Sequence, residues 1–66
     1  MVTNYRIVKQ GDEWFEVQSW RDVPGVMNHY NIEGFADDES TAERAIQAFE
    51  DGDMQGAYAL LEQYDE

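Results

Sequence analysis

Carboxylates dominate the reactive side chains of this 66-residue chain: fifteen Asp and Glu stand against four Lys and Arg, one histidine and no cysteine. Nucleophilic and acid–base catalysis are thinly supplied by that inventory. His29 reads as a half-exposed strand residue, and neither Ser19 nor Ser40 has a catalytic partner nearby in sequence. Carboxylates work as an acid and base pair only when burial or a shaped pocket separates their pKa values. A chain this short leaves little volume for the usual pocket of about 300 Å³ or more. The run Glu50-Asp51-Gly52-Asp53 offers oxygen ligands to a hard cation, yet it lacks the ligand spacing of an EF-hand loop. A helix stop followed by a helix cap accounts for the same four residues without an ion. The glycines at 11, 25, 34, 52 and 56 match neither dinucleotide-binding nor phosphate-loop spacing. The inventory points to a non-enzymatic protein with no cofactor and no metal.

The distribution of the acid is the stronger feature. Residues 1–32 hold four acids and three bases, a net of −1, whereas residues 33–66 hold eleven acids and a single base, Arg44, a net of −10. The whole chain has a formal net charge of −11 and a pI near 4.1. Small domains are soluble at a net charge of magnitude about 2–8, so the excess goes beyond solubility. Like charges held close together also oppose folding by self-repulsion. Direct binding of nucleic acid is excluded on this balance, because phosphates are neutralised by Lys and Arg. Attraction to an anionic membrane surface is excluded for the same reason. The absence of cysteine fits a reducing compartment. No apolar run approaches a spanning helix and no leader of the secretory kind opens the chain, so a cytoplasmic location is expected.

The elements that must position these carboxylates follow from periodicity. Thr3 to Lys9 is rich in β-branched and aromatic residues, and Gln10-Gly11-Asp12 is a turn of hairpin length. Glu13 to Trp20 follows as a second strand, with Phe15 and Val17 on one face and Trp14, Glu16, Gln18 and Trp20 on the other. Val23-Pro24-Gly25-Val26 reads as a turn. His29 to Phe35 reads as a third strand with Tyr30 and Ile32 turned inward, and Gly34 marks a bulge or the end of pairing. The period then changes. Ser40-Thr41-Ala42-Glu43 has the form of a capping box, and Ala42, Ala45, Ile46 and Phe49 form one apolar stripe. Gly52 stops that helix and Asp53 caps the next, whose stripe is Met54, Ala57, Leu60, Leu61 and Tyr64. The expected fold is α+β, a single domain over residues 1–66. It is a three-stranded antiparallel meander followed by a helical hairpin packed on one face, in the order βββαα.

The stretch 42–63 resembles the helix pairs of tetratricopeptide-type proteins in its small residues at the close contacts. A solenoid needs at least three stacked repeats, and one pair is present, so the likeness describes a local packing solution. In this arrangement Glu33, Asp37, Asp38 and Glu39 lead into the first helix. Glu43, Glu50 and Asp51 continue along its outer side, and Asp53 begins the second helix. Helical residues four apart sit about 6 Å apart along the axis, whereas duplex DNA carries one charge per about 1.7 Å over both strands. A rigid surface of this kind can occupy a basic groove built for phosphates. In size, acidity, lack of cysteine and carboxylates on short helices, the chain resembles the small acidic DNA-mimic proteins of phages and mobile elements. Those proteins act as anti-CRISPR or anti-restriction inhibitors. The resemblance is one of composition and layout across the whole chain, and no shared motif carries residue roles over. It implies a partner with a DNA-binding groove, such as a CRISPR effector, and host cytoplasm as the place of action if a phage encodes the chain.

Two other readings stay open. Trp14 and Trp20, on the strand face away from the helices, would serve a protein–protein adaptor or regulatory subunit, since Trp is enriched at interface hot spots. They would equally serve a second small cluster that stabilises the sheet. A salt-adapted housekeeping protein would also be acidic and poor in lysine, but its acid should coat the whole surface. Repulsion opposes self-association through the acidic face, so a monomer or weak dimer is expected, with the sheet edges available.

Overall fold

The computed structural model describes residues 3–21 and 30–64. Three antiparallel strands, β1 (Thr3–Gln10), β2 (Trp14–Arg21) and β3 (Tyr30–Ala36), form one sheet in the order β1-β2-β3. Two helices follow, α1 (Glu39–Glu50) and α2 (Met54–Leu60), so the α+β meander with a helical hairpin is the fold of this chain. The expected turn at Val23-Pro24-Gly25-Val26 and the residue His29 lie outside the described residues.

Alternation on the first hairpin follows its sequence. Gln10 pairs with Trp14 across a loop of Gly11, Asp12 and Glu13, where Gly11 takes a φ of +62°. Tyr5, Ile7, Phe15 and Val17 face the helices. The third strand departs from its expected orientation. Val17 pairs with Gly34 but Gln18 pairs with Ile32, so Glu33 is an extra residue on β3. One extra residue reverses the alternation. Gly34 and Ala36 therefore face the core, whereas Tyr30 and Ile32, expected inward, lie on the outer face and are 57% and 48% exposed. The bulge sits beside Gly34, where the glycine placed it.

Helix α1 lies across all three strands and α2 packs against α1 and β3. Ala42, Ala45 and Phe49 of the expected stripe are buried, with Ile46 packed against them. Four of the seven buried hydrophobics are alanines (36, 42, 45 and 57), which lets the backbones approach closely but supplies little apolar area. Aromatic rings fill the remainder. Tyr5 stacks on Phe49 with centroids 5.1 Å apart, and Tyr58 meets Phe49 edge-on at 5.1 Å. Such pairs contribute about 0.5–1.5 kcal/mol beyond their burial.

Both helix starts use aspartate. Asp38, rather than Ser40, caps α1, its carboxylate accepting from the Thr41 N–H at 2.7 Å. The sequence Asp38-Glu39-Ser40-Thr41-Ala42-Glu43 contains two overlapping cap frames. The earlier frame adds two residues of helix and keeps an acid, Glu39, in the first turn, where the helix dipole favours it. The α1 terminus is a Schellman motif: Gly52, at φ +84°, donates to the Phe49 carbonyl, and Asp53 donates to the Ala48 carbonyl. Asp53 then caps α2 by accepting from the Gly56 N–H at 3.0 Å.

Helix α2 is shorter than its apolar pattern. It ends at Leu60, and Leu61 is extended. Glu62 then exchanges two backbone hydrogen bonds with Phe35, at 2.9 and 2.8 Å. Tyr64 is therefore not on a helical stripe. The tail runs along the free edge of β3 beside Gly34, where an added Cβ would lie 2.9 Å from the Glu62 carbonyl oxygen and from the Leu61 Cβ. The Gln63 side-chain amide donates to the carbonyl of Glu33, supplying a partner at the bulge.

Candidate functional site

The eight acids that the sequence singles out divide into two groups. Glu33, Asp38, Asp51 and Asp53 have intramolecular work. Glu33, half-buried, accepts from the Tyr58 hydroxyl at 3.1 Å, Asp51 accepts from the Gln47 amide at 3.1 Å, and Asp38 and Asp53 cap the helices. Asp37, Glu39, Glu43 and Glu50 are exposed and make no hydrogen bond or ion pair with the described residues. Lys9 and Asp12, 3.7 Å apart in the first hairpin turn, form the ion pair seen among the described residues, far in sequence from this group.

Helical geometry aligns the free carboxylates. At about 100° per residue, Glu39, Glu43 and Glu50 fall within about 40° of one another, on a ridge beside the buried stripe. Asp37 and Asp38 extend the ridge at its start and Asp51 lies at its end. From Asp37 to Asp51 the ridge runs about 20 Å at 1.5 Å per residue, a length over which one strand of a duplex carries about six phosphates. Six carboxylates occupy it, with Arg44 the one base on α1. Capping does not cost Asp38 its charge. The hydrogen bond from the Thr41 backbone, then that from the Thr41 side chain, hold its carboxyl below the usual carboxylate range, with a smaller contribution from Arg44.

A shallow cleft of about 350 Å³ opens between β1 and the hairpin, lined by Thr3, Tyr5, Phe49, Glu50 and Met54. Its volume exceeds what the chain length suggests, and Glu50 is the one carboxylate on its rim. No group of three or more His, Cys, Asp or Glu side chains converges on a metal position among the described residues. The acids form an open row.

Of the two readings of the outer-face tryptophans, the structure matches the small packed cluster rather than the exposed pair. Trp14 and Trp20 are both half-buried. The Trp14 ring lies 6.2 Å from Phe35, whose ring lies 4.7 Å from Tyr64, so the returning tail builds a second aromatic cluster there. Trp14 Nε1 donates to the Tyr64 hydroxyl at 2.8 Å, and that hydroxyl donates to Glu16 Oε2 at 2.6 Å. Gln18 Nε2 donates to Glu16 Oε1 at 2.6 Å, and Arg6 Nε donates to Gln18 Oε1 at 2.8 Å. Glu16 and Gln18 are each 6% exposed, and no buried side-chain polar atom among the described residues lacks a partner. At the far end the Arg6 guanidinium rests 5.4 Å from the Trp20 ring and 5.6 Å from that of Tyr30. Burial, followed by the hydrogen bond to Glu16, pushes the Tyr64 phenol up from 10.0. Burial and then the bond to Glu33 do the same for Tyr58.

The network escaped the sequence reading because Tyr64 is 48 residues from Glu16 and 50 from Trp14. The one usable hint was an acid flanked by aromatic and amide side chains on a single strand face. Among the described residues no helix is long and apolar enough to cross a membrane. Comparison with protein-family models, curated proteins and solved structures returns no match to this chain.

Proposed function

We propose that this protein is a non-enzymatic inhibitor that mimics the charge of nucleic acid and occupies the DNA-binding groove of a CRISPR effector or another nucleic-acid-binding complex in the cytoplasm. The observation that carries the reading is the ridge on α1: Asp37, Glu39, Glu43 and Glu50 point to solvent with no described intramolecular partner, on a helix locked at both ends. A row fixed in this way meets Lys and Arg without first being ordered, so little conformational entropy is lost on docking. Long-range attraction speeds encounter, and release of counterions from the basic groove adds affinity that falls steeply with salt. Asp38 and Asp53 contribute charge while fixing the helices, so they act as positioning residues as well as contacts.

The experiment is capture of partners on the immobilised protein from bacterial lysate, at low and moderate salt, with and without duplex DNA as competitor. The reading expects a nucleic-acid-binding complex that is lost with salt and displaced by DNA. It fails if the captured protein survives both.

A further inference from the structure

The cleft at the end of the acidic ridge has walls of one chemistry and a rim of another. Thr3 and Tyr5, two apart on β1, share the strand face turned to the helices. Stacking on Phe49, at 5.1 Å and 9° between planes, fixes the plane of the Tyr5 ring. Phe49 is 3% exposed and closes the back of the cleft, whereas Met54, 49% exposed, stands on its open side. The tight turn through Gly52 brings Met54, the first residue of α2, back beside Glu50, the last of α1. Glu50 is the one charged side chain lining the cleft, and it makes no hydrogen bond or ion pair with the described residues. None of Arg6, Lys9 and Arg44 answers it. Arg6 lies on the outer face of the sheet with Trp20 and Tyr30, and Lys9 pairs with Asp12 at the other end of β1. Arg44 is six residues back along α1, about 120° round the helix from Glu50.

We propose that this cleft binds an arginine side chain of the partner, with the guanidinium against the Tyr5 ring and its charge met by Glu50. The inference rests on the proposed function for its partner, and adds to it an anchor at the C-terminal end of the ridge. The walls and the rim select among ligand classes. An anion is repelled by Glu50 and by a chain of net charge −11. A wholly apolar ligand would cover the Glu50 carboxylate without giving it a partner, which costs free energy. A cation on an apolar stem satisfies both parts, because the stem lies along Met54 and Phe49 while the head reaches the rim. Guanidinium is planar, weakly hydrated and stacks on aromatic faces, whereas the lysine ammonium is a strongly hydrated point charge, so arginine is the better fit. The Met54 thioether is flexible and polarisable, and adjusts to the stem. A volume of about 350 Å³ lies at the small end of ligand sites, about 300–1,000 Å³, as suits one side chain. Carboxylates spaced along a helix set no register in a basic groove, since they can slide along it. One arginine seated between aromatic walls fixes the register, and arginine is enriched at such interface hot spots.

The test is two-dimensional nitrogen–proton NMR of the full chain, titrated with N-acetyl-arginine methylamide at about 0.15 M sodium chloride, where the Debye length is about 8 Å. The backbone amides of Phe49, Glu50 and Met54 should shift and saturate at about 1–10 mM, while those of Glu39 and Glu43 stay nearly still. The lysine amide should bind about threefold or more weakly. The citrulline amide, which keeps the shape and lacks the charge, should bind about tenfold or more weakly. Glu50→Gln should bring arginine down to the citrulline level. Met54→Lys, which sets the chain's own cation beside Glu50, should weaken arginine binding as well. Both positions are exposed, and circular dichroism checks that the variants fold. Shifts spread evenly along the ridge, or lysine or citrulline bound as tightly as arginine, overturn the inference. Those results leave the proposed function standing, since it needs the ridge alone and is judged by capture from lysate. Saturable arginine binding here, with no salt- and DNA-sensitive complex captured, keeps the cleft as an arginine site and strikes the groove.

Discussion

Replacing Glu39, Glu43 and Glu50 by Gln should make the protein more stable. At 1.5 Å per residue the Cα positions of these glutamates are separated along the axis by about 6, 10.5 and 16.5 Å. In water, unit charges at those distances repel by about 0.7, 0.4 and 0.25 kcal/mol. With a Debye length of about 10 Å at 0.1 M salt the total falls to about 0.6 kcal/mol, and at 0.01 M it is about 1 kcal/mol. The helix dipole contributes little to the balance, because Glu39 in the first turn and Glu50 in the last have opposite effects of about 0.3–1 kcal/mol each. For a domain of this size about 0.6 kcal/mol raises Tm by about 2–5 °C. Thermal unfolding followed by circular dichroism at the two ionic strengths measures it. The gain should shrink as salt is added. A variant no more stable than wild type at low salt, or one whose gain grows with salt, refutes the claim that this ridge opposes folding. The claim matters because side chains that oppose the fold have to be accounted for by something outside it.

Other substitutions probe the tail and the caps. Gly34→Ala sets a Cβ against Glu62 and Leu61; it should displace the tail, cost about 1–3 kcal/mol in urea unfolding, and change Trp14 fluorescence, and an unperturbed emission spectrum counts against the packing described. Tyr64→Phe leaves Glu16 Oε2 without its donor and Trp14 Nε1 without its acceptor, a loss of about 1–3 kcal/mol that an equally stable variant would disprove. Because the Tyr64 and Tyr58 phenols are raised above 10.0 on folding, the stability they confer is complete below pH 10 and declines as pH rises through the folded values. Stability that stays flat past that point contradicts the hydrogen bonds that the two hydroxyls donate to Glu33 and Glu16. Asp53→Ala removes the cap of a seven-residue helix and should lower stability by about 1 kcal/mol, with Asp53→Asn restoring most of it.

Much of the fold could be read from local rules, and the misreadings have a common origin. The first hairpin, the α1 stripe, the stop at Gly52 and the cap at Asp53 depend on residues within one turn or one strand pair. Each was legible. The orientation of Tyr30 and Ile32 was not, because one extra residue at Glu33 inverts every side chain before it, and the sequence marks the bulge only by Gly34. The start of α1 was misplaced by two residues because Asp38 and Ser40 are both good caps. Leu61 and Tyr64 continue the α2 stripe in sequence, but Glu62 pairs with Phe35 and straightens the chain. That outcome depends on a partner 27 positions away. For the candidate site, charge alone located the acidic hairpin. Which carboxylates are free and which hold the helices depends on caps and on Tyr58, and that needed the structure.

Whether the acidic hairpin competes with nucleic acid is tested most directly by displacement. A fluorescent duplex is bound to the complex captured by this protein, and unlabelled protein is titrated in at low salt. The account expects the duplex to be released, with about one protein bound per groove, and with the Glu39→Gln, Glu43→Gln, Glu50→Gln variant far weaker. A duplex that stays bound while the protein also binds would contradict it, because a mimic and its original cannot share one groove.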